Sequence, residues 1–421
     1  MSGATVEAEP AWLADRRAAA GKRALELGLP EFKGRPGWEF TDLTGLELDA
    51  YSPANGGGTA AAERVEEIFT GLSGAIRLTQ VDGKTVLVEG ELPEGVIVAP
   101  LAEAAARHPD LVEKRLGSVV APDDVFAARN EAGFSGGAFV HVPEGVSVEA
   151  PIVLTVTQEA ERSALAWRTL VVLETGARAE VWEQALSASP DLDALFNTTV
   201  ELVVGDDAHL RYVSGQQLSE RSWILGSHRA EVGAQGSLDW VALGFGSGHG
   251  RVRMETKLAG PGADAKVTGA YAGHRRQHLD FDTTQEHAAH HTTSDLAFRG
   301  VLSDRSTSVW RGMIRVDPGA QQTDAFQESR NLLLSKRAHA DAIPGLEIEA
   351  DDVRCTHAAA IAQIDAEQLF YLRSRGLREP QAKRLVIEGF LAALVERFEE
   401  GPVRGVLADA LERRLALVLG D

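Results

Sequence analysis

The sequence predicts a mainly β fold built as a solenoid, and three observations carry that expectation. From about Gly136 to Gln363, short runs of β-branched and apolar residues alternate with polar ones, each closed by Gly, Asp or Pro. Small turn pairs recur through the same region at Gly176-Ala177, Gly233-Ala234, Gly262-Ala263 and Gly319-Ala320, spaced by about 29 residues or twice that. Gly205-Asp206-Asp207-Ala208 fills the first double gap. Thirdly, helical patterns stand on both sides of the β run and none of any length interrupts it. Short strands with one small turn per layer make a β-helix or β-roll. A β-sandwich with coincidentally spaced turns is the alternative, and the unbroken length of the β run favours the solenoid.

Residues 11–29 read as a helix carrying Trp12, Leu13, Ala20, Leu25 and Leu27. Pro30 and Gly34-Arg35-Pro36-Gly37 end it, and Trp38-Glu39-Phe40-Thr41-Asp42-Leu43 reads as a loop or short turn. Gly56-Gly57-Gly58 is a flexible break. Val81 to Val88 and Gly95 to Pro100 alternate like short strands; Leu101 to Arg107 and Asp123 to Asn130 read as helices, the latter after Pro122. Strands then follow at 138–142, 152–156, 170–173, 179–182, 200–204, 238–243, 252–257, 265–270, 308–316 and 346–348. Past Gln363, Asp365 is placed as an N-cap with Gln368 as its capping-box partner, and Gly376 suits the C′ position. Leu385, Val386, Phe390, Leu391 and Leu394 stripe the next helix, which begins near Pro380. Pro402 starts a last helix with Val406, Leu407, Leu411, Leu415 and Leu419. The expected domains are therefore a mixed, largely helical 1–135, a β core over 136–363 and a helical 364–421.

Composition narrows the function. The chain has 421 residues, 44% of them hydrophobic, and a net charge of -20, with a pI near 5.1. That balance argues against nucleic acid or an anionic membrane as the main partner. One cysteine excludes an internal disulfide and is compatible with a reducing cytoplasm. Met1 to Pro10 holds Glu7 and Glu9 and no apolar core of a secretory signal, and no run of 18 apolar residues suggests a membrane span.

Cys355 and His357 stand two apart, so on a strand they share a face. A thiolate and an imidazole on one face can share a metal ion, yet two ligands do not close a tetrahedral site. Residue chemistry alone favours a buried structural cysteine beside a hydrogen-bonded histidine. His274, His278, His287, His290 and His291 form the densest histidine group; without an HExxH pattern they read first as polar solenoid positions. Gly244-Phe245-Gly246-Ser247-Gly248 lacks the Lys-Ser/Thr of a phosphate loop and reads as a turn. Glu201, Glu231, Glu255 and Asp280 are available as acid–base pairs, but solvated strand faces account for them better.

An ordered series of short motifs goes further. It runs through His290-His291-Thr292-Thr293-Ser294-Asp295-Leu296, Gly300-Val301-Leu302-Ser303-Asp304 and Gly312-Met313-Ile314-Arg315-Val316. It continues through Gly319-Ala320-Gln321-Gln322-Thr323-Asp324-Ala325-Phe326-Gln327, Asn331-Leu332-Leu333-Leu334-Ser335 and Ala340-Asp341-Ala342-Ile343-Pro344-Gly345-Leu346-Glu347-Ile348. Asp351-Asp352-Val353-Arg354-Cys355-Thr356-His357 and Phe370-Tyr371-Leu372-Arg373-Ser374-Arg375-Gly376 complete it. In these motifs, and in Trp38-Glu39-Phe40-Thr41-Asp42-Leu43, the chain resembles the SufB/SufD family, scaffold subunits of the SUF system for iron–sulfur cluster assembly. The single cysteine in a Cys-x-His element, and the lack of one near Asn331-Leu332-Leu333-Leu334, resemble the SufD branch. Where the family often has Gly after the histidine, this chain has Ala358, whose methyl is expected to narrow the approach to His357.

The resemblance implies a right-handed parallel β-helix between helical domains, and a non-catalytic scaffold subunit in the cytoplasm. It implies a SufB-like partner subunit, a SufC-like ABC ATPase docked on the C-terminal helices, and a homodimer in isolation. It implies no stably bound cofactor but a transient cluster or iron at the partner interface, with His357 as ligand and Cys355 beside it. Tyr371 and Arg375, four apart on one helical face, are the expected ATPase contacts. Two other functions compete. A SufB-like homo-oligomeric scaffold is disfavoured by the single cysteine. A carbohydrate-active β-helix enzyme is disfavoured by the terminal helical lobes.

Overall fold

Backbone groups of a strand stack need partners on both sides, and here successive coils supply them. The computed structural model describes residues 9–32, 37–54 and 65–419. Chain order is α1 (Ala11–Leu27), β1 (Ser52–Pro53), β2 (Ile76–Val81), β3 (Lys84–Glu89), β4 (Ile97–Pro100), α2 (Leu101–Arg107), α3 (Pro109–Arg115) and α4 (Val125–Gly133). The coils follow: β5 (Gly136–Val142), β6 (Ile152–Gln158), β7 (Ser163–Leu173), β8 (Arg178–Ser187), β9 (Leu195–Val204), β10 (His209–Gln217), β11 (Trp223–Val232) and β12 (Ser237–Gly244). Next are β13 (His249–Leu258), β14 (Asp264–Gly273), β15 (His278–His287), β16 (Thr293–Leu302), β17 (Thr307–Val316), β18 (Thr323–Leu333), β19 (His339–Ile348) and β20 (Val353–Gln363). Helices α5 (Ala366–Ser374), α6 (Glu379–Val395) and α7 (Pro402–Leu419) close the chain.

The odd-numbered strands from β5 to β19 form one sheet and the even-numbered strands from β6 to β20 the other, with parallel neighbours throughout. The result is a β-solenoid of about 8 turns with helices before and after it. His249 pairs with His278 and His278 with Thr307, which is the expected period of about 29 residues.

The turns explain the repeat. The first-sheet strands from β7 to β17 each leave through a left-handed residue: Gly176 (φ 68), Asp207 (φ 55), Gln235 (φ 53), Gly262 (φ 72), His291 (φ 58) and Gly319 (φ 84). In five of these turns a small residue follows and is fully buried: Ala177, Ala208, Ala263, Thr292 and Ala320. Three of the four Gly-Ala pairs read from the sequence are this device. The fourth, Gly233-Ala234, is displaced: the left-handed position is Gln235 and Gly236 follows it. One further correction concerns Val81 to Val88. It is not one strand but the antiparallel hairpin of β2 and β3, turned at Asp82-Gly83 with φ of 47 and 81. The expected breaks at Gly34-Arg35-Pro36 and Gly56-Gly57-Gly58 lie outside the described residues, as do Met1 to Ala8.

Side chains alternate across each strand, so every second residue fills the space between the sheets. Trp167, Tyr212, Trp240, Phe298 and Trp310 are buried there at 0% exposure and Tyr271 at 1%. Tyr271, Phe281, Phe298 and Trp310 form a chain of ring contacts with centroids 5.4, 5.6 and 6.3 Å apart. The outer face of the second sheet carries α6 and α7 through Ile387, Leu391, Leu394, Leu407 and Leu411. The buried stripe of α6 lies slightly round from the expected one, since Ile387 is buried and Leu385 is half exposed. Asp365 caps α5 by accepting from Glu367 N at 2.9 Å, the residue before Gln368.

The outer face of the first sheet is covered by the N-terminal elements. Trp38 to Leu43 lies across it as a strap: Thr41 Oγ1 donates to Asp280 at 2.5 Å, Glu39 pairs with Arg311 at 3.0 Å, and the Arg251 guanidinium lies 4.9 Å from the Trp38 ring. Farther along, Arg168 and Glu201 are both fully buried, and Arg168 Nη2 lies 2.5 Å from Glu201 Oε1. Glu201 also accepts from the N–H groups of Gly117, Val119 and Val120 at 2.9, 3.3 and 3.2 Å. One carboxylate therefore neutralises a buried cation and ties the segment after α3 to the solenoid. Glu201→Ala leaves Arg168 with only Glu131, at 3.8 Å, and strands three amides, and is expected to cost about 3–5 kcal/mol. Urea unfolding followed by tryptophan fluorescence measures it; an unchanged midpoint refutes the role.

Candidate functional site

A solenoid strand is normally covered by the next coil, and the last strand is not. β19 and β20 end their sheets, and among the described residues nothing pairs with their outer edges. The register places Cys355 on Ala325 and His357 on Gln327. Ala325 and Gln327 are inward-facing and buried at 1% and 0% exposure, so Cys355 and His357 also point inward, at the mouth of the solenoid. Their Cα atoms are separated by roughly 6–7 Å along the strand.

Exposure measures what is missing above them. Ile314 and Val316 are fully buried, whereas their register partners one coil later, Leu346 and Ile348, are 38% and 41% exposed. Asn331 is 2% exposed and its partner Ile361 is 44% exposed. The mouth is thus an apolar cross-section of the core, with the Cys355 thiol and the His357 imidazole on its surface. Cys355 is half-buried against Ile314, Val316, Ala320 and Ala325. Burial pushes its thiol up, and the negative charge of Asp324 adds to this. His357 is exposed.

Two donors do not complete a metal site, and among the described residues no group of three or more His, Cys, Asp or Glu gathers to hold a metal. Iron or a cluster held here as cargo would take its other ligands from outside this chain. The Ala358 methyl does not narrow the approach to His357. Ala358 pairs with Glu328, which bonds Arg299 on the outer face, so alternation puts the methyl on the opposite side of the strand.

The other sequence candidates disperse. His274 pairs with Glu220 at 2.8 Å in one turn, and His278 bonds Thr307 and Thr41 at the start of β15. His287 is buried at the far end of β15 between Thr292 and Ser294, while His290 and His291 lie in the opposite turn. Gly244 to Gly248 is the turn from β12 to β13, with Ser247 at φ 66. The expected solvated carboxylates are corrected at two positions. Glu201 and Asp280 are buried at 0% and 2% exposure, because the N-terminal elements cover that face and Arg168 and Arg251 neutralise them. Glu255 lies beside Arg229 and Arg253.

Tyr371 and Arg375 do adjoin: the Arg375 guanidinium lies 5.1 Å from the Tyr371 ring centre. Tyr371 is 56% exposed and the neighbouring Phe370 74%, so this face of α5 presents aromatic surface. Sequence reading missed Asp324 and Gln327. One coil back from His357 lies Gln327, and one coil back from Cys355 lies Ala325, next to Asp324.

Comparison with known proteins covers most of the chain. Residues 155–390 match the model described as SUF system FeS cluster assembly, SufBD core domain, and residues 81–154 match the SufBD protein N-terminal region. The iron–sulfur cluster assembly protein SufD of Bacillus subtilis is 29% identical over 97% of this chain and 95% of its own length. An iron–sulfur cluster assembly SufBD family protein of Mycobacterium tuberculosis is 32% identical over 72% of this chain and 78% of its own. Another from Staphylococcus aureus is 26% identical over 91% and 85%.

Since Cys355 is the sole thiol, its alkylation reports this mouth alone. At pH 8 the raised pKa keeps the thiolate scarce, so iodoacetamide should react slowly, and faster as pH rises. Asp324→Asn removes a charge that favours the neutral thiol, and should speed the reaction about two- to threefold. An unchanged rate, read by mass spectrometry, refutes the electrostatic coupling.

Proposed function

The chain belongs to the SufBD family of iron–sulfur cluster assembly proteins and is a homologue of SufD, and from that premise we propose that it is a non-catalytic scaffold subunit whose solenoid mouth docks on a SufB-like subunit. One observation carries this reading: inward-facing apolar residues and unpaired strand edges are exposed together, on the coil that bears Cys355 and His357. An exposed core cross-section and an open sheet edge are both unfavourable in water, and a second sheet end covers both. A related subunit has such an end, and a second copy of this chain is the alternative occupant in isolation.

At that junction His357 supplies a neutral imidazole to a transient iron ion or cluster, which is cargo, and the partner supplies thiolate. Imidazole in place of thiolate is competent toward iron and changes a cluster's properties. Cys355, half-buried and poorly ionised, packs the mouth and at most assists. The role is structural and ligating, with no nucleophile or acid–base pair assigned. Among the described residues no helix is long and apolar enough to cross a membrane, and the proposed compartment is the reducing cytoplasm.

The C-terminal helices take a SufC-like ATPase. Phe370, Tyr371, Leu385 and Leu417 are 74%, 56%, 50% and 57% exposed, and the Arg375–Tyr371 pair gives a rigid aromatic and a planar cation of the kind that anchors interfaces.

His357→Ala is expected to abolish cluster assembly by the complex while the heterodimer still forms, with Cys355→Ser milder. The measurements are activity of cluster-dependent enzymes in cells relying on this system, and size-exclusion chromatography of the complex. Full activity of His357→Ala sinks the ligand assignment. The double variant Tyr371→Ala, Arg375→Ala should lose about 2 kcal/mol of ATPase binding in a pull-down titration. Because both side chains are exposed, its thermal unfolding should not move, and undiminished capture refutes the assignment.

A further inference from the structure

A cavity of about 530 Å³ lies where α7 crosses the loops that lead from the second sheet back to the first. Four successive solenoid turns contribute to it, through Ser187 to Asp191, Gln217 to Glu220, Phe245-Gly246 and His274-Arg275. Its size falls within the range of about 300–1,000 Å³ common to small-molecule sites, and its place between two structural units is typical of them. One wall is apolar, made by Leu186, Leu218, Phe245 and Leu417. The other holds Arg414.

Arg414 is 5% exposed. Its Nε and Nη2 donate to Ala272 O at 3.1 and 2.7 Å, and Nη2 also reaches Gln277 Oε1 at 3.0 Å and His274 Nδ1 at 3.3 Å. None of these acceptors carries a negative charge, and among the described residues no carboxylate lies within ion-pairing distance of the guanidinium. Glu220 is the nearest acidic influence, yet it is engaged by His274 at 2.8 Å and Arg275 at 3.3 Å. Burial works against ionising Glu220, but the His274 bond and the charges of Arg275 and Arg414 outweigh it and hold its carboxyl below the usual range. Burial also draws Arg414 down to about 10, which leaves it a cation at neutral pH. Nη1 makes no hydrogen bond among the described residues and is the free corner of a guanidinium that lines the cavity. A buried cation with no carboxylate in direct contact is unfavourable, and a cavity beside it gives an anion room to supply one.

We propose that this cavity binds a small carboxylate with an apolar body, its carboxylate accepting from Arg414 Nη1 and its body lying on Leu186, Leu218, Phe245 and Leu417. The acidic groups of Glu66, Asp191 and Glu220 on the walls repel a dianion, so a monoanion fits better than phosphate. The site is independent of the mouth that carries Cys355 and His357.

Calorimetric titration of the full chain with hexanoate, hexanol and inorganic phosphate tests the proposal. Hexanoate should bind saturably, and hexanol and phosphate at least about tenfold more weakly, about 1.4 kcal/mol. Ala188→Trp, which fills the cavity and leaves Arg414 in place, should weaken hexanoate about tenfold or more, as should Arg414→Met. If Arg414→Met does not fold, Ala188→Trp decides alone. No saturable hexanoate binding, equal binding of hexanol or phosphate, or unchanged affinity in Ala188→Trp each overturns the proposal.

Discussion

The structure depends on one constraint: each coil satisfies the backbone of the coil before it. From β6 and β7 onward, parallel register holds along both sheets, so a residue's environment is set by the residue about one coil earlier and one coil later. Interior aromatic stacking follows from it, since inward positions superpose from coil to coil. So does the left-handed turn, because its φ lets the chain swing from one sheet to the other within a few residues. A small buried side chain after that turn keeps the edge of the core narrow. Stability in such an array is local and additive in kind, and a defect is felt mainly by its two neighbours.

That same constraint decides what was legible in the sequence. The period of about 29 was visible because small residues mark the turns, and the β run was visible because inward and outward positions alternate. Strands such as Thr293–Leu302 and His339–Ile348 were missed or seen only at their ends. Their polar and proline-bearing sequences, with Pro344 in the last first-sheet strand, do not advertise a strand, and coil-to-coil pairing overrides their propensity. The buried Glu201 and Asp280 read as solvated in the sequence because nothing in their own strands shows that N-terminal segments cross over them. The strap from Trp38 to Leu43, hundreds of residues away, is what removes water from Asp280.

For the site, the shared face of Cys355 and His357 followed from their spacing alone. Their facing inward did not, because a strand's two faces are equivalent until the register is known. Once His357 is set on Gln327, the parity of every other residue in the strand follows, including Ala358, whose methyl falls on the outer side. The dispersal of the five histidines has the same origin. Sequence proximity brings His278 and His287 close on paper, but a strand of ten residues holds them at its opposite ends, about 30 Å apart.

The two ends of the solenoid are built differently, and this bears on where a partner belongs. At the N-terminal end the sheets finish in antiparallel pairs, β2 with β3 and β4 with β5. Short antiparallel strands there blunt the edges, and β3 turns mostly exposed residues outward. At the C-terminal end both sheets stop in full-length parallel strands with no further strand among the described residues, and residues in core positions stand nearly half exposed. A chain selected to remain alone has no reason to protect one end and leave the other bare. Under the proposed function the bare end is the junction, and Cys355 and His357 lie where a second chain, in completing the stack, would also bring its own ligands into reach. The geometry that leaves their site incomplete is thus the geometry that makes assembly necessary for it to work.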